Sequence, residues 1–254
     1  MKQYTLINKI VGELDNRDYL KACYISGSFG RKEEDEYSNV DIYVCIHTKD
    51  ESNFETNKLA IFEMYGEIIY HRQDNEVDTI IYRDGVMLRF HKVFQNVNGI
   101  IEVDNNAIII YNNYGIIKNN LSNQNEFSYI EIGKLIDSLS INALEFSRNY
   151  RRNDYPIILR LSSDIHYQYS MIKHYISNPR QAKLGAKNIL KSLNSDERKA
   201  YVEIIKAYSF QNLKQFVLMI LNDLDKALVA MPVMVAQNFD YDLFAFVRKK
   251  VMEL

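Results

Sequence analysis

The residues best suited to chemistry lie in one segment near the N-terminus. A short apolar run ends in Gly27-Ser28, ten polar or mixed residues follow, and a second apolar run opens with Asn39-Val40-Asp41. Both runs have the composition of β-strands, and the residues between them read as a turn. Side chains two positions apart on a strand point to the same side. The side chains of Asn39 and Asp41 are therefore expected to project together toward the Gly-Ser turn.

This arrangement is typical of a site for a nucleoside triphosphate. Gly27 permits a close approach of the backbone, the amides and hydroxyl around Ser28 can hold phosphate oxygens, and Arg31 adds positive charge. Two carboxylates on one strand, with a third from a neighbouring strand, would hold Mg²⁺ ions that bridge to the triphosphate. An acceptor hydroxyl would then attack the α-phosphorus, and pyrophosphate would leave.

The elements that position this segment fall within residues 1–115. The spacing of apolar residues predicts helices over 1–15 and 53–65. The Asp84-Gly85 pair between two apolar runs predicts a two-residue hairpin turn, which sets Arg83 opposite Val86 and Asp78 opposite His91. The runs predicted as strands are Leu20–Ser26, Val40–His47, Glu67–His71, Val77–Tyr82, Val86–Phe94, Ile100–Val103 and Ala107–Tyr111.

After residue 125 the apolar period changes to 3.6, which predicts helices throughout. Their expected ranges are 128–150, 156–177, 181–193, 195–208, 211–230 and 239–252. The Asn-rich stretch 112–125 is predicted to be a linker. The expected fold class is therefore α+β: a mixed β-sheet with flanking helices over residues 1–115, then an all-helical bundle over residues 126–254.

Composition limits the kinds of partner that the protein is expected to bind and the compartment in which it is expected to occur. A net charge of −2 lacks the basic excess that a sequence-independent nucleic-acid binder needs. The two cysteines, Cys23 and Cys45, lie in apolar runs and are predicted to be buried free thiols. The most apolar stretch, Leu228–Ala236, is short and contains Pro232, so no membrane span is expected. These features favour a cytoplasmic protein.

The Gly27-Ser28 and Asn39-Val40-Asp41 pairs resemble the nucleotidyltransferase superfamily of the DNA polymerase β type, whose pattern is Gly-Ser, ten residues and Asp-x-Asp. The order of helix, strand, Gly-Ser turn, strand and hairpin extends the resemblance over residues 1–95. With a helical second half, the chain looks most like the bacterial lincosamide and aminoglycoside nucleotidyltransferases.

The sequence departs from that pattern at two positions. Asn39 replaces the first carboxylate, and its amide oxygen carries no charge for a cation. The resemblance implies a third carboxylate on the later strand, where Arg89 stands instead; its guanidinium can hold a phosphate. In the predicted hairpin Asp78 shares a face with Arg89 and His91. There it either completes a metal site with Asp41 or, as we favour, pairs with Arg89.

The resemblance implies transfer of a nucleoside monophosphate, AMP from ATP, to a hydroxyl of a small molecule such as an antibiotic. Mg²⁺ would be the cofactor, and such enzymes can form homodimers. A carboxylate of the helical half acts as general base in these enzymes; Glu145 is our choice, with Asp137 and Asp154 as the other options. The alternative, favoured by Arg89, is a catalytically inactive protein of this fold that binds a nucleotide or a protein partner.

Overall fold

The fold class is α+β, as predicted. The computed structural model describes residues 1–15, 17–95, 99–112, 114–120 and 126–254. The chain divides into two compact units, Met1–Asn123 and Gln124–Leu254. The strands of the described residues lie in the first unit, and the second is helical. Among the described residues, no helix combines the length and apolar character that a bilayer crossing requires.

The described residues of unit 1 form three α-helices, a short 3-10 helix at Thr48–Asp50 and eight strands. In chain order the α-helices and strands are α1 (Lys2–Asp15), β1 (Leu20–Ser26), α2 (Gly27–Gly30), β2 (Val40–His47), α3 (Glu51–Glu63), β3 (Ile68–Asp74), β4 (Val77–Tyr82), β5 (Met87–Gln95), β6 (Ile101–Asp104), β7 (Ile108–Tyr111) and β8 (Ile117–Asn120). Six strands form one sheet in the order β3-β4-β5-β2-β1-β7. Only β2 and β5 pair in parallel within this sheet, among the pairings described.

The two faces of the sheet differ in what covers them. One face packs against α1 and α3, whose apolar side chains join those of the central strands in a common core. This burial explains the amphipathic pattern of residues 1–15, in which Leu6, Ile10 and Leu14 are fully buried. The β6–β8 pair covers part of the other face, through Ile101, Val103 and Ile117. We call this second face the open face.

The hairpin between β4 and β5 has a different turn from the predicted one. The Tyr82 N–H donates to the Val86 carbonyl, and Gly85 adopts φ +86°, so the loop has three residues, Arg83 to Gly85. A three-residue loop with glycine in the left-handed position is a common hairpin connection. It shifts the register by one residue and sets Asp78 opposite Phe90, so the predicted pairing of Asp78 with His91 is wrong.

The stretch predicted as a linker contains a strand. Strand β8 pairs in parallel with β6, and the Ile117 side chain is buried. The single apolar pair Ile116-Ile117 among asparagines gave too weak a strand signal. Residues 113 and 121–125 of the predicted linker lie outside the described residues.

Unit 2 is a helical bundle. Its helices are α4 (Tyr129–Arg152), α5 (Tyr155–Ser177), α6 (Ile189–Ser192), α7 (Ser195–Lys206), α8 (Leu213–Leu228), α9 (Val233–Ala236) and α10 (Tyr241–Met252). A capping box formed by Asn194 and Glu197 begins α7. The helix predicted over 181–193 is wrong, because Gly185 and Asn188 have positive φ and interrupt it. A 3-10 helix over Pro179–Leu184 and the short α6 take its place.

Both cysteines are buried and unbonded, as predicted. Burial raises the pKa of Cys23 to about 12 and that of Cys45 to about 11. The thiolate, which is the nucleophilic form, is therefore scarce at neutral pH.

Candidate active site

In the turn after β1, the carboxylate of Asp41 packs against Gly27. Asp41 lies opposite Ser26 in the β1–β2 pairing, and Gly27 follows with φ +72°. A Cβ atom added at Gly27 would stand 2.6 Å from the Asp41 Oδ2 atom. Gly27 is thus required by its backbone angle and by the carboxylate beside it. About a fifth of the Asp41 side chain (22%) remains exposed.

We expect Gly27→Ala to destabilise unit 1 by about 1–3 kcal/mol, because alanine disfavours positive φ and its methyl group would collide with Asp41. Denaturant unfolding measures the change. Gly66→Ala is the matched control, since an added Cβ there meets no atom within 4 Å. Equal unfolding midpoints for Gly27→Ala and the wild type would contradict this account of the turn.

Arg89 lies directly beside Asp41. The two residues are register partners in the parallel β2–β5 pair, and the same row continues to Thr79 on β4 and Arg72 on β3. Partners in register share a face of the sheet, so both charged side chains belong to the open face. Arg89 is exposed. Among the described carboxylates, none lies within ion-pair distance of its guanidinium.

The second neighbour of Asp41 is His91, which the sequence placed on one face with Arg89 but to which it assigned no role. The His91 Nε2 atom lies 3.5 Å from the Asp41 Oδ1 atom. The imidazole ring stacks on Tyr43 at a centroid distance of 4.0 Å, and Tyr43 stacks on Tyr24 at 4.6 Å. Side chains two positions apart on a strand share a face, so Tyr43 lies on the face of Asp41 and His91 on the face of Arg89. This alternation is the sequence signal that could have placed His91 at the site. The three rings fix His91 on one side of the carboxylate.

Ser28 and Arg31, which were also predicted to bind the nucleotide, are less exposed than Arg89, whereas the predicted metal ligand Asn39 is exposed. Ser28 is buried, with 6% of its surface exposed. The Arg31 Nε atom donates to Glu33 Oε2 at 3.0 Å, so its charge is partly neutralised. Asn39 precedes β2, is exposed, and lines a groove of about 510 Å³ together with Tyr37 and Met87.

Asp78 lies on the opposite face of the sheet from Asp41, contrary to the prediction that placed it with Arg89. The three-residue hairpin loop is the reason, since a one-residue shift of register reverses the face. Asp78 is fully buried beneath α3, where it accepts hydrogen bonds from Lys58 at 3.0 Å and contacts His71 at 2.7 Å. Asp78 therefore neither pairs with Arg89 nor joins Asp41 in a metal site.

A buried ion cluster surrounds Asp78. It consists of Glu55, Lys58, Asp78 and Lys92, with His71 at its rim. The two ammonium groups balance the two carboxylates. The cluster joins α3 to β4 and β5, and Lys92 directly follows His91 on β5. It is a structural ion cluster beneath the strand that carries Arg89.

Comparison with known families agrees with this geometry. Residues 8–106 match the family model described as polymerase beta, nucleotidyltransferase. Unit 1 contains a nucleotidyltransferase domain. The matched range includes the Gly27 turn, Asp41 and Arg89, so the resemblance noted in the sequence is confirmed at the level of the superfamily.

Solved structures offer a more distant likeness. An aminoglycoside 6-adenyltransferase from Bacillus subtilis aligns over 100% of this chain and 90% of its own, with 10% sequence identity and a TM-score of 0.32. A score this low carries no argument about function. No curated protein is significantly similar in sequence.

The residues of the nucleotidyltransferase domain do not fit the two-metal site associated with its family. Mg²⁺ favours carboxylate oxygens, and the open face offers Asp41 with the uncharged Asn39 near it. Arg89, a fixed positive charge, occupies the next strand. Among the described residues no three acidic, histidine or cysteine side chains are grouped as metal ligands. The described residues of the open face therefore lack the carboxylates that two bound metal ions would require.

The three carboxylates predicted as candidates for a general base lie in unit 2. Glu145 is partly exposed and pairs with Arg148 on the same helix at 2.6 Å. Asp137 accepts the N–H of Asp240 at 2.8 Å, and Asp154 occupies the N-cap position of α5. Asp137 is thus held in a helix-capping contact. Glu145 as general base stays a prediction.

Proposed function

We propose that the nucleotidyltransferase domain binds a nucleoside triphosphate through Arg89, without the pair of metal ions. The observation that supports this is the placement of Arg89 in register beside Asp41, exposed on the open face. A guanidinium offers a planar pair of donors that matches phosphate oxygens. Its positive charge partly replaces the charge that a cation would bring to the triphosphate.

The rest of the site agrees with a binding role. Gly27 keeps the backbone close to the Asp41 carboxylate, which a Cβ atom at this position would displace. The ring stack through Tyr43 fixes His91 near the same carboxylate. A triphosphate would thus meet the exposed guanidinium of Arg89 beside the Gly27 turn. This is the behaviour of a nucleotide-binding protein derived from a transferase fold.

Calorimetric titration with ATP tests the proposal, once in EDTA and once with Mg²⁺. We expect binding in EDTA, with an affinity that Mg²⁺ does not raise. Binding that requires Mg²⁺ would contradict the proposal and would favour a rebuilt metal site. Absence of binding in both conditions would contradict it as well, and would direct the search to protein partners.

The second proposed function is transfer of AMP from ATP to a hydroxyl of a small molecule such as an antibiotic. Asp41 favours it, because this carboxylate keeps the predicted place beside the Gly27 turn and remains partly exposed. In such a transfer the acceptor oxygen bonds to the α-phosphorus and pyrophosphate leaves. A general base takes up the hydroxyl proton.

Restoring the missing acids tests the site assignment on which both functions rest. We expect the double variant Asn39→Asp, Arg89→Glu to bind ATP only with Mg²⁺, since three carboxylates then face the phosphates in place of one. Pyrophosphate release with a panel of hydroxyl acceptors measures turnover. Asn57→Asp with Arg72→Glu, on exposed positions outside the site, controls for charge. If the active-site double variant shows no metal dependence, the site assignment is wrong.

A further inference from the structure

Unit 2 contains a cavity that none of the predicted site residues lines. Its volume is about 560 Å³, and its walls come from the start of α4, the end of α5, the beginning of α7 and the connection from α8 to α9. Tyr129 and Tyr175 contribute aromatic rings. Ile176, Met231 and Pro232 contribute apolar surface. A cavity of this size and character accommodates a small organic molecule.

The charges around the cavity are unequal. Glu126, Glu197 and Lys173 line it. The Lys173 ammonium is almost fully buried and lies 3.2 Å from Asp223 Oδ2, which also accepts the Tyr169 hydroxyl at 2.8 Å. Asp223 thus neutralises the buried lysine from behind. The two glutamates give the cavity a negative lining.

Glu197 keeps hydrogen-bonding capacity toward the cavity. Its Oε2 atom accepts the N–H of Asn194 in the capping box of α7. Its Oε1 atom forms a long ion pair with the Lys173 Nζ atom at 3.9 Å, a separation beyond hydrogen-bond distance. The capping contact fixes the side chain, and Oε1 can accept a hydrogen bond from a ligand.

We propose that this cavity binds a small organic ammonium ion, a protonated amine with an apolar or aromatic body. The ammonium group donates to Glu197 and is attracted by the tyrosine rings. The body packs against Ile176, Met231 and Pro232. An anion would lie beside two glutamates, and Lys173, which also lines the cavity, is already paired with Asp223 and more distantly with Glu197. The proposal is independent of the nucleotide site in unit 1.

Three probes that share a phenylethyl body test which ligand charge the cavity prefers in the full chain. They are 2-phenylethylammonium, the neutral 2-phenylethanol and the anionic 3-phenylpropionate, each titrated by calorimetry. We expect the ammonium ion to bind at least ~10-fold more tightly than the alcohol, because a charge-assisted hydrogen bond forms only with the cation. We expect no measurable binding of the carboxylate.

Glu197→Gln removes the charge while leaving the helix start intact, since glutamine also serves at the third position of a capping box. We expect this variant to lose about tenfold in affinity for the ammonium ion and to bind the alcohol unchanged. Glu203→Gln, on the same helix and paired with Lys206, is the matched control. Equal affinities for cation and alcohol, preference for the carboxylate, no binding of the cation, or no effect of Glu197→Gln would each overturn the proposal.

Discussion

Arg89→Ala is expected to weaken ATP binding in EDTA by about 10- to 100-fold. The guanidinium is the exposed cation beside Asp41, and a hydrogen bond to a charged group contributes roughly 1.5–3 kcal/mol. Removing it also leaves the Asp41 carboxylate to repel the phosphates. Calorimetry with the wild type and the variant under identical salt conditions measures the change.

Arg72→Ala is the control for this experiment. Arg72 lies in the same row of the sheet but at the edge strand β3, where it pairs with Asp74 at 2.9 Å. Its loss should alter ATP affinity by less than about twofold, since the site is two strands away and exposed ion pairs contribute about 0–1 kcal/mol. If the two arginine variants weaken binding equally, the effect arises from general surface charge and not from a site at Arg89.

Asp78→Asn is expected to destabilise the protein by about 3–5 kcal/mol. The substitution leaves Lys58 and Lys92 buried with one partly exposed carboxylate, Glu55, and an uncompensated buried charge is costly. Denaturant unfolding measures the loss. Asp74→Asn changes an exposed ion pair on β3 and should cost at most about 1 kcal/mol. Similar effects of the two variants would show that the cluster is weakly coupled to folding.

The same cluster makes stability depend on pH in a definite direction. Burial alone would raise the pKa of Asp78, but hydrogen bonds from His71 and Lys58 and the charge of Lys92 outweigh it and lower the pKa. Because the pKa of Asp78 is lower in the folded protein, its ionised carboxylate stabilises the fold at pH values above the pKa of an aspartate in the unfolded chain, which is about 4. This stabilisation is lost as the pH falls through the folded-state pKa. The wild type should therefore lose more stability than Asp78→Asn on acidification below about pH 4.

The segment from Gly27 to Asp41 was predictable from the sequence because its determinants are local. A glycine at the end of one apolar run and an aspartate at the start of the next specify a turn between paired strands. The alternation of apolar residues placed β1, β2 and β4 at their observed bounds. The class of fold and the nucleotidyltransferase domain follow from these short-range patterns.

Features that depend on non-local pairing were not predictable to the same degree. Asp84-Gly85 indicated a hairpin but did not fix the length of its loop. The loop has three residues and not two because Tyr82 pairs with Val86 across the turn. Strand β8 is stabilised by β6 and has little intrinsic signal of its own. The break at Gly185 reflects a close contact, since a Cβ there would stand 2.4 Å from Tyr167 on α5.

The sequence by itself determined the fold class, the Gly27 turn with Asp41 at the head of β2, and the loss of the acid at Asn39. Only the tertiary structure decided which charges meet. It brought His91 to Asp41, set Arg89 in register with Asp41 as the resemblance had implied, and moved Asp78 to the opposite face into an ion cluster. The physical reason is the period of two along a strand: one residue in a turn decides whether a carboxylate faces the open side or the core.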